Sequence, residues 1–139
     1  MARIILIDDD RVFARLVEAR LQADGHEVHW SEGAFGVLTE VRKGRYQFIL
    51  VDVQMPGIEG PALVDCLRSR GIGDSRIILM SSIREDKLRE LAIKYGVDAY
   101  FPKGHKLDNL AQIITRWCSG VSGARVMLGG NPYELRKIS

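Results

Sequence analysis

The sequence predicts an α/β protein with a doubly wound, five-stranded parallel sheet. Three observations carry this. Five short apolar runs are each followed by a stretch with helical spacing of its apolar residues, the alternation that builds parallel sheets from βα units. One run, Phe48-Ile49-Leu50-Val51, shows no polar alternation, which suits a strand covered on both faces. Finally, the residues with reactive side chains stand where these runs end, at the strand termini where open α/β sheets bind ligands.

Taken in order, Arg3 to Ile7 (RIILI) is the first strand and ends on Asp8, Asp9 and Asp10. Arg11 to Asp24 places Phe13, Leu16, Val17 and Leu21 on one helical face, with Gly25 as a stop signal. Asp10 suits the N-cap of this helix, because its carboxylate can accept from the orphan N–H groups of the first turn. Glu27 to Trp30 is a weaker strand, and Ala34 to Arg42 a second helix closed by Gly44. The third strand ends on Asp52, and a turn with Met55, Pro56, Gly57 and Gly60 leads to Pro61, which fits the first position of a helix reaching Ser69. Arg76 to Met80 is a fourth strand ending on Ser81 and Ser82, followed by a helix over Asp86 to Tyr95. Val97 to Phe101 is a fifth strand ending on Pro102 and Lys103, followed by a helix over Leu107 to Trp117.

A chain of 139 residues has room for one domain and a substantial core. The expected division is a domain over residues 1–119 and a tail over 120–139, where Gly120, Gly123, Gly129, Gly130 and Pro132 lie among polar residues. Two readings of the tail are open: a flexible extension, or a docking segment using Val126-Met127-Leu128 or Tyr133. Lys and Arg number 20 against 18 acids, so the net charge of +2 calls for neither nucleic acid nor an acidic membrane. Cys66 and Cys118 lie far apart without metal-ligand spacing and read as reduced thiols. No signal peptide or membrane span is expected from MARIILIDDD, and the expected location is the cytoplasm.

If the strands run parallel, Asp8 and Asp9, Asp52, Ser81 and Lys103 meet along one end of the sheet. The second strand ends on Ser31 and Glu32, outside this set, which places it at an edge with the first and third strands as central neighbours. Close carboxylates repel one another, so the cluster either raises a pKa or holds a cation, and oxygen-only ligands suit Mg²⁺. A divalent cation beside an ammonium and a hydroxyl is a phosphoryl site, at which Asp52 could attack phosphorus to give an aspartyl phosphate.

The set Asp8-Asp9, Asp52-Val-Gln-Met-Pro-Gly-Ile-Glu-Gly60, Ser81-Ser82 and Lys103 on five βα units resembles the receiver domain of two-component response regulators, over about residues 3 to 118. The resemblance is to the single-domain, chemotaxis type. It implies a flavodoxin-like (βα)5 fold with strand order 2-1-3-4-5. Asp52 would be the phospho-acceptor. Asp9, with Asp8 through water, would hold Mg²⁺ together with Asp52 and the backbone carbonyl of Gln54. Ser81 and Lys103 would bind the phosphoryl group, and Tyr100 would be the aromatic that moves with Ser81. The resemblance implies a switch rather than an enzyme, one that assists its own Mg²⁺-dependent phosphorylation and dephosphorylation. The phosphodonor would be a sensor histidine kinase or phosphotransfer protein. Output would pass to a protein target, or a homodimer, through the face of the fourth helix, fifth strand and fifth helix.

The chain departs from the family pattern in places. Proline precedes Lys103 and Gly104 follows it, where the family commonly has lysine followed by proline, and serine stands at 81 where threonine is common. Two other readings fit these residues: a phosphorylation-independent docking module on this fold, and a haloacid-dehalogenase-like phosphatase with Asp8 as nucleophile and Asp10 as general acid. His26, His29 and His105 lack ligand spacing and read as surface or strand residues, Trp30 and Trp117 as packing residues. The mixed charges from Arg84 to Lys94 read as a solvated helix face.

Overall fold

A computed structural model describes residues 1–119 and 131–135. The elements are β1 (Arg3–Ile7), α1 (Arg11–Ala23), β2 (Glu27–Ser31), α2 (Val37–Gly44), β3 (Phe48–Asp52), α3 (Gly60–Ser69), β4 (Arg76–Ser81), α4 (Glu85–Lys94), β5 (Ala99–Pro102) and α5 (Leu107–Cys118). The five strands form one parallel sheet in the order β2-β1-β3-β4-β5. All five residues of β3 are buried, which explains why its sequence has no alternation: apolar side chains are needed on both faces. On α1, the inward positions Phe13, Ala14, Val17 and Leu21 form the covering stripe.

Element boundaries shift where a local interaction outweighs apolar pattern. The second helix starts at Val37 rather than Ala34, because Gly36 takes φ 75°, a left-handed conformation that a helix cannot contain. Pro61 is the second residue of α3, not its first; Gly60 leads the helix after the Glu59 cap. The α4 helix starts at Glu85, one residue earlier than expected. The fifth strand begins at Ala99 rather than Val97. Val97 N–H still closes the turn after α4 by donating to the Ala92 carbonyl (3.1 Å), and the Asp98 carboxylate accepts from Ile77 N–H (2.8 Å).

Gly60 is fixed by a close approach. A Cβ built there would lie 2.2 Å from the Asp52 carbonyl oxygen, so the start of α3 can sit against the end of β3 only without a side chain. The Gly60 N–H donates to the Val53 carbonyl at 2.9 Å, which ties the loop after Asp52 back onto itself.

Trp117 packs as expected, stacked on Phe48 with ring centroids 6.1 Å apart and Arg76 over its face. His26 is more than a surface residue: it is buried, and its Nδ1 accepts from the Ala2 N–H at 3.0 Å. The charged face of α4 is solvated, with Arg84–Asp86 (2.8 Å) and Lys87–Glu90 (3.6 Å) pairs. Cys66 and Cys118 are exposed free thiols. Among the described residues no helix is long and apolar enough to cross a membrane.

Beyond α5, residues 131–135 lie against the outer edge of β5. Glu134 forms an antiparallel bridge with Ala99, and Tyr133 is buried. The other candidate docking stretch, Val126 to Leu128, falls outside the described residues.

Candidate functional site

Parallel register brings the predicted groups together. Asp52 is level with Met80 and Ser81 with Pro102, so the ends of β3, β4 and β5 open at one rim beside the end of β1. Lys103 N–H donates to the Ser81 carbonyl at 2.9 Å, extending the β4–β5 ladder by one rung and aiming the lysine at the rim. The unusual order Pro102-Lys103-Gly104 is accommodated by a turn in which His105 N–H donates to the Pro102 carbonyl (3.0 Å). Glu32 at the end of β2 pairs with Arg11 in solvent, apart from the cluster.

Carboxylate oxygens of Asp8, Asp9 and Asp52 lie within 4.8 Å of one another. Asp8 and Asp52 are buried and Asp9 is exposed. Lys103 Nζ sits 2.9 Å from Asp8 Oδ2 and 3.6 Å from Asp52 Oδ2, with the Phe13 ring 4.8 Å below it. Asp8 Oδ1 accepts from the Asp10 N–H (2.9 Å) and Asp52 Oδ1 from the Gln54 N–H (3.3 Å). Ser81 is fully buried, and its Oγ accepts from the Ile83 N–H at 3.1 Å. That bond uses an oxygen lone pair and leaves the hydroxyl proton available to a further acceptor.

Two aspartates with one lysine leave the pocket short of positive charge. Burial, and next the negative charge of Asp8, push the Asp52 carboxyl up to about 6; Lys103 and the Gln54 N–H oppose this only in part. Asp8 Oδ2 is wholly enclosed with the Lys103 ammonium 2.9 Å away, so two buried carboxylates share one cation. An excess of enclosed carboxylate oxygen is the donor set a hard divalent cation takes, and the residues present fit Mg²⁺.

The sequence placed Asp8, Asp9, Asp52, Ser81 and Lys103 at this rim, and the structure brings them together. Asp10 is the N-cap of α1, accepting from the Phe13 N–H at 3.1 Å, while its carboxylate stays 3.8 Å from Lys103. Tyr100 is buried rather than displayed; its hydroxyl is 3.5 Å from Glu85 and its ring meets Tyr133 edge-on at 5.7 Å. The site-supporting roles of three residues escaped sequence reasoning. Trp30 Nε1 donates to the Asp8 carbonyl (2.8 Å), Phe13 underlies Lys103, and Gly60 admits α3 to the end of β3. Only Gly60 carried a signal, a glycine opening a helix before proline.

With this geometry in view, comparison with known proteins gives a consistent result. The response regulator receiver domain family matches residues 4–115, and the chain belongs to that family. A gliding motility regulatory protein of Myxococcus xanthus is 31% identical over 116 residues, covering 82% of this chain and 15% of that protein. The Vibrio cholerae chemotaxis protein CheY4 superposes with a TM-score of 0.75 at 22% identity, covering 84% of this chain and 98% of that one. A Burkholderia pseudomallei response regulator, solved with a phosphorylated aspartic acid, calcium ion and citrate, gives a TM-score of 0.70 at 21% identity over 86% of this chain and 74% of that one. The chain thus spans a small part of the curated relative and most of the two solved chains. Receiver domains are signalling modules of two-component systems, not enzymes in the usual sense.

Proposed function

We propose that this chain accepts a phosphoryl group on Asp52 from a sensor histidine kinase or phosphotransfer protein and signals through phosphorylation-dependent protein contacts. The observation that carries this is the enclosure of the Asp52 carboxylate between Asp8 and Lys103, with one oxygen held by the Gln54 N–H. That hydrogen bond fixes the rotamer, leaving the second oxygen to attack phosphorus. The new O–P bond forms on Asp52 as the P–N bond of the donor phosphohistidine breaks, and the histidine nitrogen keeps the electron pair and takes up a proton. Lys103 neutralises charge on the transferring oxygens, and the Ser81 hydroxyl donates to one of them. Asp8, Asp9, Asp52 and the Gln54 carbonyl would hold Mg²⁺, which supplies further charge neutralisation at the phosphoryl group. The phosphorylated aspartic acid of the Burkholderia pseudomallei relative supports the assignment by analogy.

Phosphate on Asp52 then favours the arrangement in which Ser81 and Tyr100 are drawn toward it, and the α4–β5–α5 face reads that change out to a protein target or a second copy. The phosphatase alternative is disfavoured. Asp8 has no exposed surface, its Oδ1 is occupied by the Asp10 N–H, and Asp10 is spent as a helix cap.

Intact mass after incubation with acetyl phosphate tests the reading. A gain of one phosphoryl mass that requires Mg²⁺ and is lost in Asp52→Asn is expected. A folded wild-type chain that gains nothing supports the phosphorylation-independent docking module instead.

A further inference from the structure

The β5 strand is one of the two edge strands of the sheet, and an edge presents N–H and C=O groups to whatever strand can reach them. Here the chain's own C-terminal segment reaches them. Tyr100 N–H donates to the Tyr133 carbonyl (3.1 Å), and Leu135 N–H donates to the Asp98 carbonyl (2.9 Å), one antiparallel pairing on either side of Ala99. The segment is shaped for this seat. Asn131 Oδ1 accepts from the Tyr133 N–H (2.9 Å) and the Asn131 carbonyl from the Glu134 N–H (3.1 Å), a turn in which Pro132 restricts the backbone. Glu134 lies 3.4 Å from Arg116 on α5.

The Tyr133 side chain is the anchor. Only 6% of it is exposed, and its ring meets Tyr100 (5.7 Å), Phe101 (5.9 Å) and His105 (5.6 Å) edge-on. Its hydroxyl is 2.6 Å from His105 Nδ1, and His105 Nε2 in turn lies 3.4 Å from Glu85 at the start of α4. Glu85 also accepts from the Tyr100 hydroxyl, at 3.5 Å. One short segment therefore touches β5, α5 and the loop between them, and through His105 and Glu85 it is linked to α4.

We propose that residues 131–135 are a built-in strap that holds the α4–β5–α5 face closed, and that phosphorylation at Asp52 loosens it because the Tyr100 ring is part of its seat. This rests on the phospho-acceptor reading above. A Tyr100 ring that moves toward Ser81 withdraws from Tyr133, and the strap loses one of three aromatic contacts while keeping its bond to His105. Loss of one edge-on pair corresponds to roughly a three- to tenfold rise in the opened fraction. By linkage, opening the strap favours the phosphorylated state by the same factor.

Amide hydrogen exchange of the full chain, followed by NMR with beryllofluoride and Mg²⁺ as the phosphoryl probe, tests this. The Tyr100 and Leu135 amides are expected to be protected without the probe and to exchange three- to tenfold faster with it. In Tyr133→Ala both exchange fast from the start and no longer respond. Tyr133→Phe, which keeps the ring, retains the response. The Gln54 and Ile83 amide resonances report probe binding independently, since they hydrogen-bond Asp52 and Ser81. If they shift while Tyr100 and Leu135 exchange at an unchanged or slower rate, the strap proposal falls and the phospho-acceptor reading stands. If neither pair responds, the phospho-acceptor reading fails and the release mechanism with it. Full protection in Tyr133→Ala also overturns the proposal, because the anchor would then anchor nothing.

Discussion

Replacing Asp52 with asparagine should make the metal-free protein more stable, although it removes the central side chain of the site. The folded state holds the Asp52 carboxyl near 6 against an ordinary value of 3.8, chiefly through burial and secondarily through Asp8. A raised acid pKa means that the folded state binds the proton more readily than the unfolded chain throughout this window. Stability therefore falls as pH rises from about 4 to about 6.5, and the penalty is fully present above that. A gap of about two pKa units corresponds to roughly 3 kcal/mol between the protonated and ionised forms. Asparagine stands in for the protonated acid and keeps a carbonyl for the Gln54 N–H; the attraction of Lys103 is already contained in that figure, so the net gain at neutral pH should be about 1–3 kcal/mol, with the full figure as its ceiling. For a chain of this size that raises Tm by about 3–10 °C. Thermal unfolding of wild type and Asp52→Asn in chelator, at about pH 7.5 and about pH 4.5, is the assay, with the advantage shrinking toward zero at the lower pH. An Asp52→Asn protein less stable than wild type at neutral pH, or an advantage that does not depend on pH, refutes the electrostatic reasoning.

Three further outcomes follow from the geometry. Lys103→Ala leaves the buried carboxylates of Asp8 and Asp52 without their ammonium, and acetyl phosphate labelling should slow by about a hundredfold, read by intact mass over time. Gly60→Ala drives a Cβ into the Asp52 carbonyl; the backbone must move, costing about 1–3 kcal/mol in denaturant unfolding and slowing labelling as well. Trp30→Phe keeps most of the packing but strips the Asp8 carbonyl of its indole donor, with an expected loss of about 1–2 kcal/mol in the same measurement.

Much of this molecule could be read from its residues, for reasons that are local. Strands buried on both faces must be apolar throughout, so Phe48 to Val51 announced itself, and the carboxylate that ended the run had to lie at the sheet's C-terminal rim. Asp10 was legible as a cap because the capping bond spans only four consecutive residues, Asp10 to Phe13. What escaped depends on pairings distant in sequence. Trp30 reaches the Asp8 carbonyl only because β2 lies beside β1, and nothing around it distinguishes that role from packing. The burial of His26 follows from a bond to Ala2, 24 positions away. Tyr133 lies 28 positions from His105 in a five-residue segment too short for any periodicity, and its seat exists only because the strand order leaves β5 at an edge. The late start of α2 turned on the single backbone conformation of Gly36, against an apolar pattern that continued across it.

On the proposed mechanism the acyl phosphate forms on Asp52 and not on a neighbouring acid. Treating the acetyl phosphate-labelled chain with borohydride reduces an aspartyl phosphate to homoserine, and peptide mapping then reads its position. Homoserine at position 52, dependent on Mg²⁺, is the result expected. Homoserine at position 8 or 9, or none in protein that carries the phosphoryl mass, rules out Asp52 as the acceptor.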